Sequence, residues 1–398
     1  MAASEAVPYA KTGGLADVVG TLPLELAKLG HRVTLVLPGY RSVVSGHQFH
    51  LPAARISLPD AGISANVVLE EASVPVTAGL HPLTVLAVRY DPYFDRPELY
   101  QDQRGDYPDN LERFSLFCRA VLEAVRFLTS VRGEAVDVLH LHDWQTALCA
   151  VYLKAVAQKQ KEQEGLERLK TLLTLHNVGY QGVFPGEHFA KTGLPPALFS
   201  PGGLEFYGSV NCLKGGVIYS DAVSTVSPTY AKEIMTPEFG CGLEGVLAGR
   251  TDGVRGITNG IDVNAWNPET DPYLPAQYSA VDLSGKQACK RALQRELRLP
   301  GRDVPILAVI GRLTPQKGFD LLMEIIPELM ALDVQIAILG TGDRDLEKQF
   351  RTAKTTHPQR IGLTLGFDEG LAHRIEAGAD MLIMPSRYEP CGLSQLYS

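Results

Sequence analysis

The chain has no apolar run approaching the ~18 to 20 residues needed to cross a bilayer, and no charged segment followed by an apolar core near its start. A soluble, intracellular protein without a membrane partner is expected. Basic charge is scarce, since 37 Lys and Arg stand against 45 Asp and Glu for a net charge of −8. That balance argues against a broad nucleic-acid surface, so an anionic ligand must be held by a few local cations. The six cysteines, Cys118, Cys149, Cys212, Cys241, Cys289 and Cys391, form no CxxC pair and no metal-like grouping with His. Reduced, mostly buried thiols are expected, with no metal and no cofactor. A GxxxxGK[ST] loop is missing, and no GxGxxG turn opens the first helix. These absences speak against a P-loop protein and an NAD-dependent dehydrogenase.

What is present is an ordinary globular composition, 45% hydrophobic and 21% charged over 398 residues, enough for two to three domains of about 150 residues each. Strand patterns at Val33 to Leu37, Leu83 to Val88, Val136 to Leu141, Leu172 to Leu175 and Ala222 to Val226 alternate with helical ones. Leu111 to Arg132 reads as a helix whose Phe114, Phe117, Val121, Val125 and Leu128 form a core stripe. The charged run Gln158 to Arg168 reads as a solvated helix end or loop. Residues 267–285 are rich in Pro, Asp and Tyr without a sustained period, and read as a linker between domains at 1–266 and 286–398. The alternation then resumes with strands Ile306 to Ile310, Gln335 to Leu339, Ile361 to Leu365 and Met381 to Met384. Helices Phe319 to Ala331, Arg344 to Lys354 and Glu369 to Glu376 lie between them. The expected fold is α/β, with two Rossmann-like doubly wound domains of parallel sheet facing a cleft.

Chemistry-bearing residues gather at the turns that follow strands. Arg312-Leu-Thr-Pro-Gln-Lys317-Gly318 sets two cations and a glycine between a buried strand and a helix, which describes an anion site favoured by free backbone N–H groups. A solvated surface turn is the alternative for that segment alone. Lys11-Thr-Gly13-Gly14-Leu-Ala-Asp17 precedes a helix and lets backbone approach a ligand. His140 and His142 share one strand face; a metal pair lacks a third ligand, so a strand-end His bonding a ligand hydroxyl or fixing a loop is the better reading. His176-Asn177-Val-Gly-Tyr180-Gln181-Gly is a polar turn able to meet sugar hydroxyls. Gly340-Thr-Gly342-Asp343 is a turn that plain structure also explains. In Pro385-Ser-Arg-Tyr-Glu389-Pro-Cys391-Gly392 a carboxylate can accept two hydroxyl donors from a sugar.

Taken together and in order, KTGGLADV, HLHDW, HNVGYQGVF, RLTPQKG and PSRYEPCGL closely resemble the ADP-glucose-dependent glycogen and starch synthases, glycosyltransferase family 5. NCLKGG around Asn211 and VSPTYAKEI extend the match over nearly the whole chain. The resemblance implies a GT-B glycosyltransferase that moves glucose from ADP-glucose to the non-reducing end of an α-1,4-glucan with retention. It implies that Lys11, Gly13, Gly14 and Asp17 meet the donor, that His142 and Asn211 face its glucose, and that Arg312 and Lys317 hold its diphosphate. Glu389 with Cys391 and Gly392 would cradle the transferred glucose, the Gly340 and Gly342 turn would also serve the donor, and His176, Asn177, Tyr180 and Gln181 would touch sugar. Related transferases often carry a second Glu eight positions after the first; here that position is Tyr397, which favours the glycogen and starch synthase group.

The chain departs from the family's pattern at both ends. Met1-Ala-Ala stands where an apolar strand is expected, and the sequence stops soon after QLY, before a further glycine-rich segment. The second domain is therefore expected to be truncated, which leaves a non-catalytic fragment that binds glucan or nothing as the alternative function, with another nucleotide-sugar transferase behind it. The expected location is the bacterial cytoplasm, or a plastid if a transit peptide belongs to the complete chain.

Overall fold

The computed structural model describes residues 1–46, 49–58, 65–76, 80–156, 166 and 168–398. The charged run from Gln158 to Arg168 lies outside the described residues apart from Leu166 and Arg168. The chain forms two compact units, Met1–Gly260 and Ile261–Ser398. No helix among the described residues is long and apolar enough to cross a membrane.

The first unit runs α1 (Gly14–Lys28), β1 (Thr34–Pro38), β2 (His50–Leu58), β3 (Ala65–Val74), β4 (Leu83–Arg89), α2 (Asn110–Arg126), β5 (Val138–His142), α3 (Trp144–Val151) and β6 (Lys170–Leu175). It continues through β7 (Val183–Pro185), β8 (Glu205–Phe206), β9 (Ser209–Asn211), α4 (Cys212–Tyr219), β10 (Ala222–Thr225) and β11 (Arg255–Gly256). Strands β5, β6, β10 and β11 are parallel neighbours in that order, and β1 pairs in parallel with β4. Residues 1–3 lie between these two groups. Ala2 N donates to His140 O at 2.8 Å, Val36 N donates to Met1 O at 2.8 Å, and Ala2 and Ala3 are fully buried. The expected parallel sheets are interrupted, because β2 and β3 run antiparallel beside β4 and β7 to β9 form an antiparallel sheet of their own. Connections this short cannot hold a crossover helix, and the burial of β3 alternates, as suits a sheet with one wet face.

Helix α2 buries Leu111, Phe114, Phe117, Val121 and Val125 as its periodicity requires. It stops earlier than expected. At Phe127–Val131 the turn widens, with Arg132 N reaching Phe127 O, and Thr129 Oγ1 donating back to Val125 O at 3.0 Å.

The second unit contains α5 (Ser284–Glu296), β12 (Ile306–Ile310), α6 (Phe319–Glu324), α7 (Ile326–Ala331), β13 (Gln335–Gly340), α8 (Arg344–Thr356), β14 (Ile361–Leu365), α9 (Glu369–Gly378), β15 (Met381–Leu382) and α10 (Leu393–Tyr397). Its four strands are all parallel, in the order β14-β13-β12-β15. The reason β12 reads as one apolar run is visible in its two faces. Leu307 and Val309 pack with Phe319, Leu322 and Phe350, while Ile306 and Ala308 pack with Leu293, Leu297, Leu371 and Ile375. Helices cover both faces, so every position must be apolar. The helix expected over Phe319 to Ala331 is instead two, since Pro327 has no N–H to bond back to Met323 O and its ring crowds the preceding turn. Ahead of α5, Trp266 stacks on His373 at 3.8 Å and on Tyr397 at 4.1 Å, and Asp271 Oδ2 meets His373 Nδ1 at 2.6 Å. The Pro-rich segment is thereby packed along the second unit.

Candidate active site

In the second unit the strand-end turns interlock. Leu313 N donates to Thr341 O at 2.9 Å and Asp343 N to Leu313 O at 2.7 Å, which fastens the turn after β12 to the turn after β13. Arg387 N donates to Gln316 O at 2.9 Å, and the Arg387 guanidinium spans Pro315 O at 2.7 Å and both oxygens of Asp320 at 2.8 and 2.6 Å. Gly318 has φ +65°, and a Cβ there would run into Pro385 O, so only glycine lets these turns meet. The result brings Lys317 Nζ to 2.6 Å from Glu389 Oε1, an oxygen that also accepts from Ser386 Oγ at 2.6 Å. Arg312, exposed, opens the same turn, and Cys391 and Gly392 close the other one, with Gly392 at φ +79°. Gly340 and Gly342 sit on the third turn, held by Glu347, which accepts from Thr341 Oγ1 at 2.6 Å and Gly342 N at 3.1 Å. Those bonds hold the Glu347 carboxyl below its ordinary pKa. All the donor residues expected here thus share one edge of one sheet.

In the first unit, two groups form. Around the start of α1, Lys11 Nζ pairs with Asp17 Oδ1 at 2.8 Å. The buried Glu5 carboxylate accepts from Thr12 N at 2.5 Å, Thr12 Oγ1 at 2.7 Å and Gly13 N at 3.2 Å, and the Tyr100 hydroxyl lies 2.7 Å from it. Amides that the sequence offers to a ligand anion are therefore already organised by a protein carboxylate. Nothing in the spacing of Glu5 announces this.

The second group centres on His142 at the end of β5. It is fully buried, and its Nδ1 lies 3.0 Å from His176 Nε2. The third imidazole that sequence did not suggest is thus present, but as a hydrogen-bond partner. Among the described residues no group of three or more His, Cys, Asp or Glu is placed to hold a metal. His142 Nε2 is buried without a protein partner. In either tautomer it presents an unmatched polar atom, which a ligand hydroxyl can satisfy. Asp143, at φ +56°, accepts from His176 N at 2.7 Å and so fixes the turn that carries Asn177 and Tyr180. Asn211 caps α4 through Lys214 N at 2.9 Å, and its Nδ2 donates to Gln181 Oε1 at 2.6 Å. Gln181 Nε2 donates to Val178 O at 2.9 Å and Cys241 O at 3.0 Å, so its amide is fully used inside the protein. Asn177 Oδ1 accepts from Gly179 N at 2.9 Å, and Tyr180 is exposed.

Burial sets the charge state of this group. It lowers His176 to about 4 and His140 to about 3, pushes His142 well below its ordinary value, and raises Asp143 to about 7. The unfolded chain takes up a proton on each histidine below about pH 6.5, whereas the folded chain does not until near their lowered values. The stability they contribute is complete above pH 6.5 and is lost as pH falls, by ~1 kcal/mol per unit per histidine. Asp143 has the opposite sign, because between about pH 4 and 7 the folded state keeps a proton the unfolded state has released; it offsets about one histidine. The urea midpoint is expected to drop from pH 6.5 to 5, with a shallower drop in His176→Gln. Equal midpoints at both pH values in the native chain would contradict this account.

Residues 1–249 match the family described as starch synthase catalytic domain, and residues 291–396 match glycosyl transferases group 1. A glycogen synthase of Anaeromyxobacter sp. (strain Fw109-5) is 45% identical over 397 residues, 100% of this chain and 80% of that protein. The chain belongs to the glycogen and starch synthase family. Glycogen synthase 2 of Geobacter metallireducens is similarly 45% identical over 395 residues, 99% of this chain and 79% of its own. The catalytic domain of Starch Synthase IV from Arabidopsis thaliana, bound to ADP and acarbose, superposes with a TM-score of 0.83 at 34% identity, covering 100% of this chain and 79% of that one. As a glycogen/starch synthase family member with two doubly wound α/β units, the chain is a glucosyltransferase of the GT-B class. A match that runs through both units does not favour the reading as a non-catalytic fragment.

Proposed function

We propose that the enzyme transfers glucose from ADP-glucose to the non-reducing end of an α-1,4-glucan with retention at the anomeric carbon. The observation that carries this reading is the Lys317 ammonium fixed 2.6 Å from Glu389 on two interlocked strand-end turns. A cation beside a sugar-binding carboxylate suits a phosphorylated sugar: the cation faces the diphosphate and the carboxylate accepts hydroxyls. The ADP and acarbose of the Arabidopsis structure and the names of the bacterial relatives support an adenine nucleotide donor and a glucan acceptor. The bacterial relatives support a bacterial setting, and the cytoplasm is the place proposed within it.

In this reading residues 286–398 bind the nucleotide sugar, residues 1–266 bring the acceptor and part of the catalytic group, and residues 267–285 join them. Arg312 and Lys317 stabilise charge on the departing diphosphate, with the Gly340 and Gly342 turn and the Cys391 and Gly392 turn beside it. Lys11, Gly13, Gly14 and Asp17 meet the donor from the first unit. His142 bonds a glucose hydroxyl through Nε2, and Asn211 offers its second amide hydrogen. His176, Asn177 and Tyr180 serve the sugar side, while Gln181 acts through Asn211.

The C1–O bond to ADP breaks as the acceptor O4 bonds to C1 on the same face, and the O4 proton passes to a phosphate oxygen of the leaving group. No covalent glucosyl-enzyme forms. Incubation with ADP-glucose and a maltooligosaccharide should give a ladder extended by single α-linked units, read by chromatography and NMR, with UDP-glucose the poorer donor. No elongation with ADP-glucose, or preference for UDP-glucose, would reject the assignment.

A further inference from the structure

The three-stranded module β7 to β9 ends in a turn that folding alone does not explain. Tyr207 and Gly208 join β8 to β9 with φ +50° and +80°, the left-handed pair of a type I′ turn, whose first position favours Asn, Asp or Gly. Tyrosine there holds a backbone conformation unfavourable to a residue with a Cβ. Its side chain gains little packing in return, since Tyr207 is 86% exposed.

The tip is nevertheless rigidly presented. Gly208 N donates to Glu205 Oε1 at 2.7 Å, and the buried Lys214 of α4 donates to Glu205 O at 2.5 Å and Pro201 O at 2.7 Å, fixing the base of the hairpin. Phe206 stands edge-on to Tyr207 with ring centroids 4.8 Å apart. Gly242 backs Phe206 so closely that a Cβ there would lie 2.9 Å from its ring. The neighbouring Cys241, itself at φ +50°, accepts from Gln181, and Gln181 accepts from Asn211. Two of the four non-glycine residues with positive φ among the described residues therefore belong to one chain of contacts that runs from Asn211 to the exposed ring. Backbone strain kept at an exposed aromatic is a mark of binding.

We propose that Tyr207, backed by Phe206, is a docking platform for the acceptor glucan, holding a glucosyl unit away from the reacting end. The C–H face of a glucopyranose is apolar and uncharged, and it packs on an aromatic face while its hydroxyls stay in water. The identity of the occupant rests on the glucosyl transfer proposed above, and continuity with Asn211 ties the platform to that site.

The test is Tyr207→Asn, because Asn-Gly is a preferred pair for this turn and keeps the hairpin, as an undiminished thermal midpoint will show. Electrophoresis through glycogen-containing gels, without donor, reads glucan binding apart from turnover. The apparent Kd for glycogen is expected to rise about 3- to 10-fold in Tyr207→Asn and to recover in Tyr207→Phe. During turnover the KM for maltoheptaose should rise several-fold more than that for maltotriose. Equal retardation of Tyr207→Asn and the native chain overturns the platform, and so does a loss of equal size for long and short acceptors. If ADP-glucose supports no elongation while retardation still depends on Tyr207, the donor reading falls and the platform stands.

Discussion

Lys317→Ala should lower kcat for glucosyl transfer by about 10²-fold or more, with the donor KM moving far less. The ammonium lies 2.6 Å from Glu389 on two interlocked turns, so its charge is held in place as the diphosphate begins to leave. Negative charge grows on that diphosphate as the C1–O bond breaks, and an interaction that strengthens in the transition state appears in kcat. Removing the ammonium also leaves the Glu389 carboxylate, with 14% side-chain exposure, short of its cationic partner. Lys317→Arg separates the two effects. It keeps the charge but changes a compact ammonium into a planar fork, so it should restore part of the rate and less of the geometry. Unchanged kinetics in Lys317→Ala would remove Lys317 from the mechanism.

The turn that holds Lys317 was legible because several local signals agreed there. Ile306 to Ile310 is apolar at every position since helices cover both faces of β12, and the Gly318 that follows is the residue the close approach to Pro385 demands. The antiparallel strands β2 and β3 were not legible as such, because β3 sets Val67, Val68 and Leu69 in a row and then Glu70 beside Glu71, which blurs in sequence the alternation that its burial follows. The break between α6 and α7 could have been read from Pro327. Partners brought together only by the fold were out of reach. Glu5 beneath the Thr12 and Gly13 amides and His176 on His142 from 34 residues away are pairings that carry no mark in local sequence. The candidate ligand residues sit on conspicuous turns, whereas the bonds that tie one turn to another, such as His142 with His176, appear only in the fold.

Glu389→Gln should reduce transfer by about 10²- to 10³-fold, and it separates two ways in which a carboxylate could act. Glu389 Oε1 is already engaged by Lys317 Nζ and Ser386 Oγ, both at 2.6 Å, which withdraws electron density from that oxygen. Such a carboxylate is poised to receive sugar hydroxyls and to stabilise positive charge on C1, and it is a poor nucleophile. Gln keeps the shape and one acceptor oxygen but loses the charge, so the ion pair with Lys317 goes and the cation is freed to move. The loss should therefore fall on kcat and be smaller than additive with Lys317→Ala, because the two groups act as one unit. If Glu389 were instead a nucleophile, a 2-fluoro donor would leave a glucosyl adduct on it, visible by mass spectrometry as a labelled peptide containing residues 385–398. The front-face course requires that no such adduct accumulate. A retained rate in Glu389→Gln would equally remove the carboxylate's charge from the chemistry and leave Lys317 to act without it.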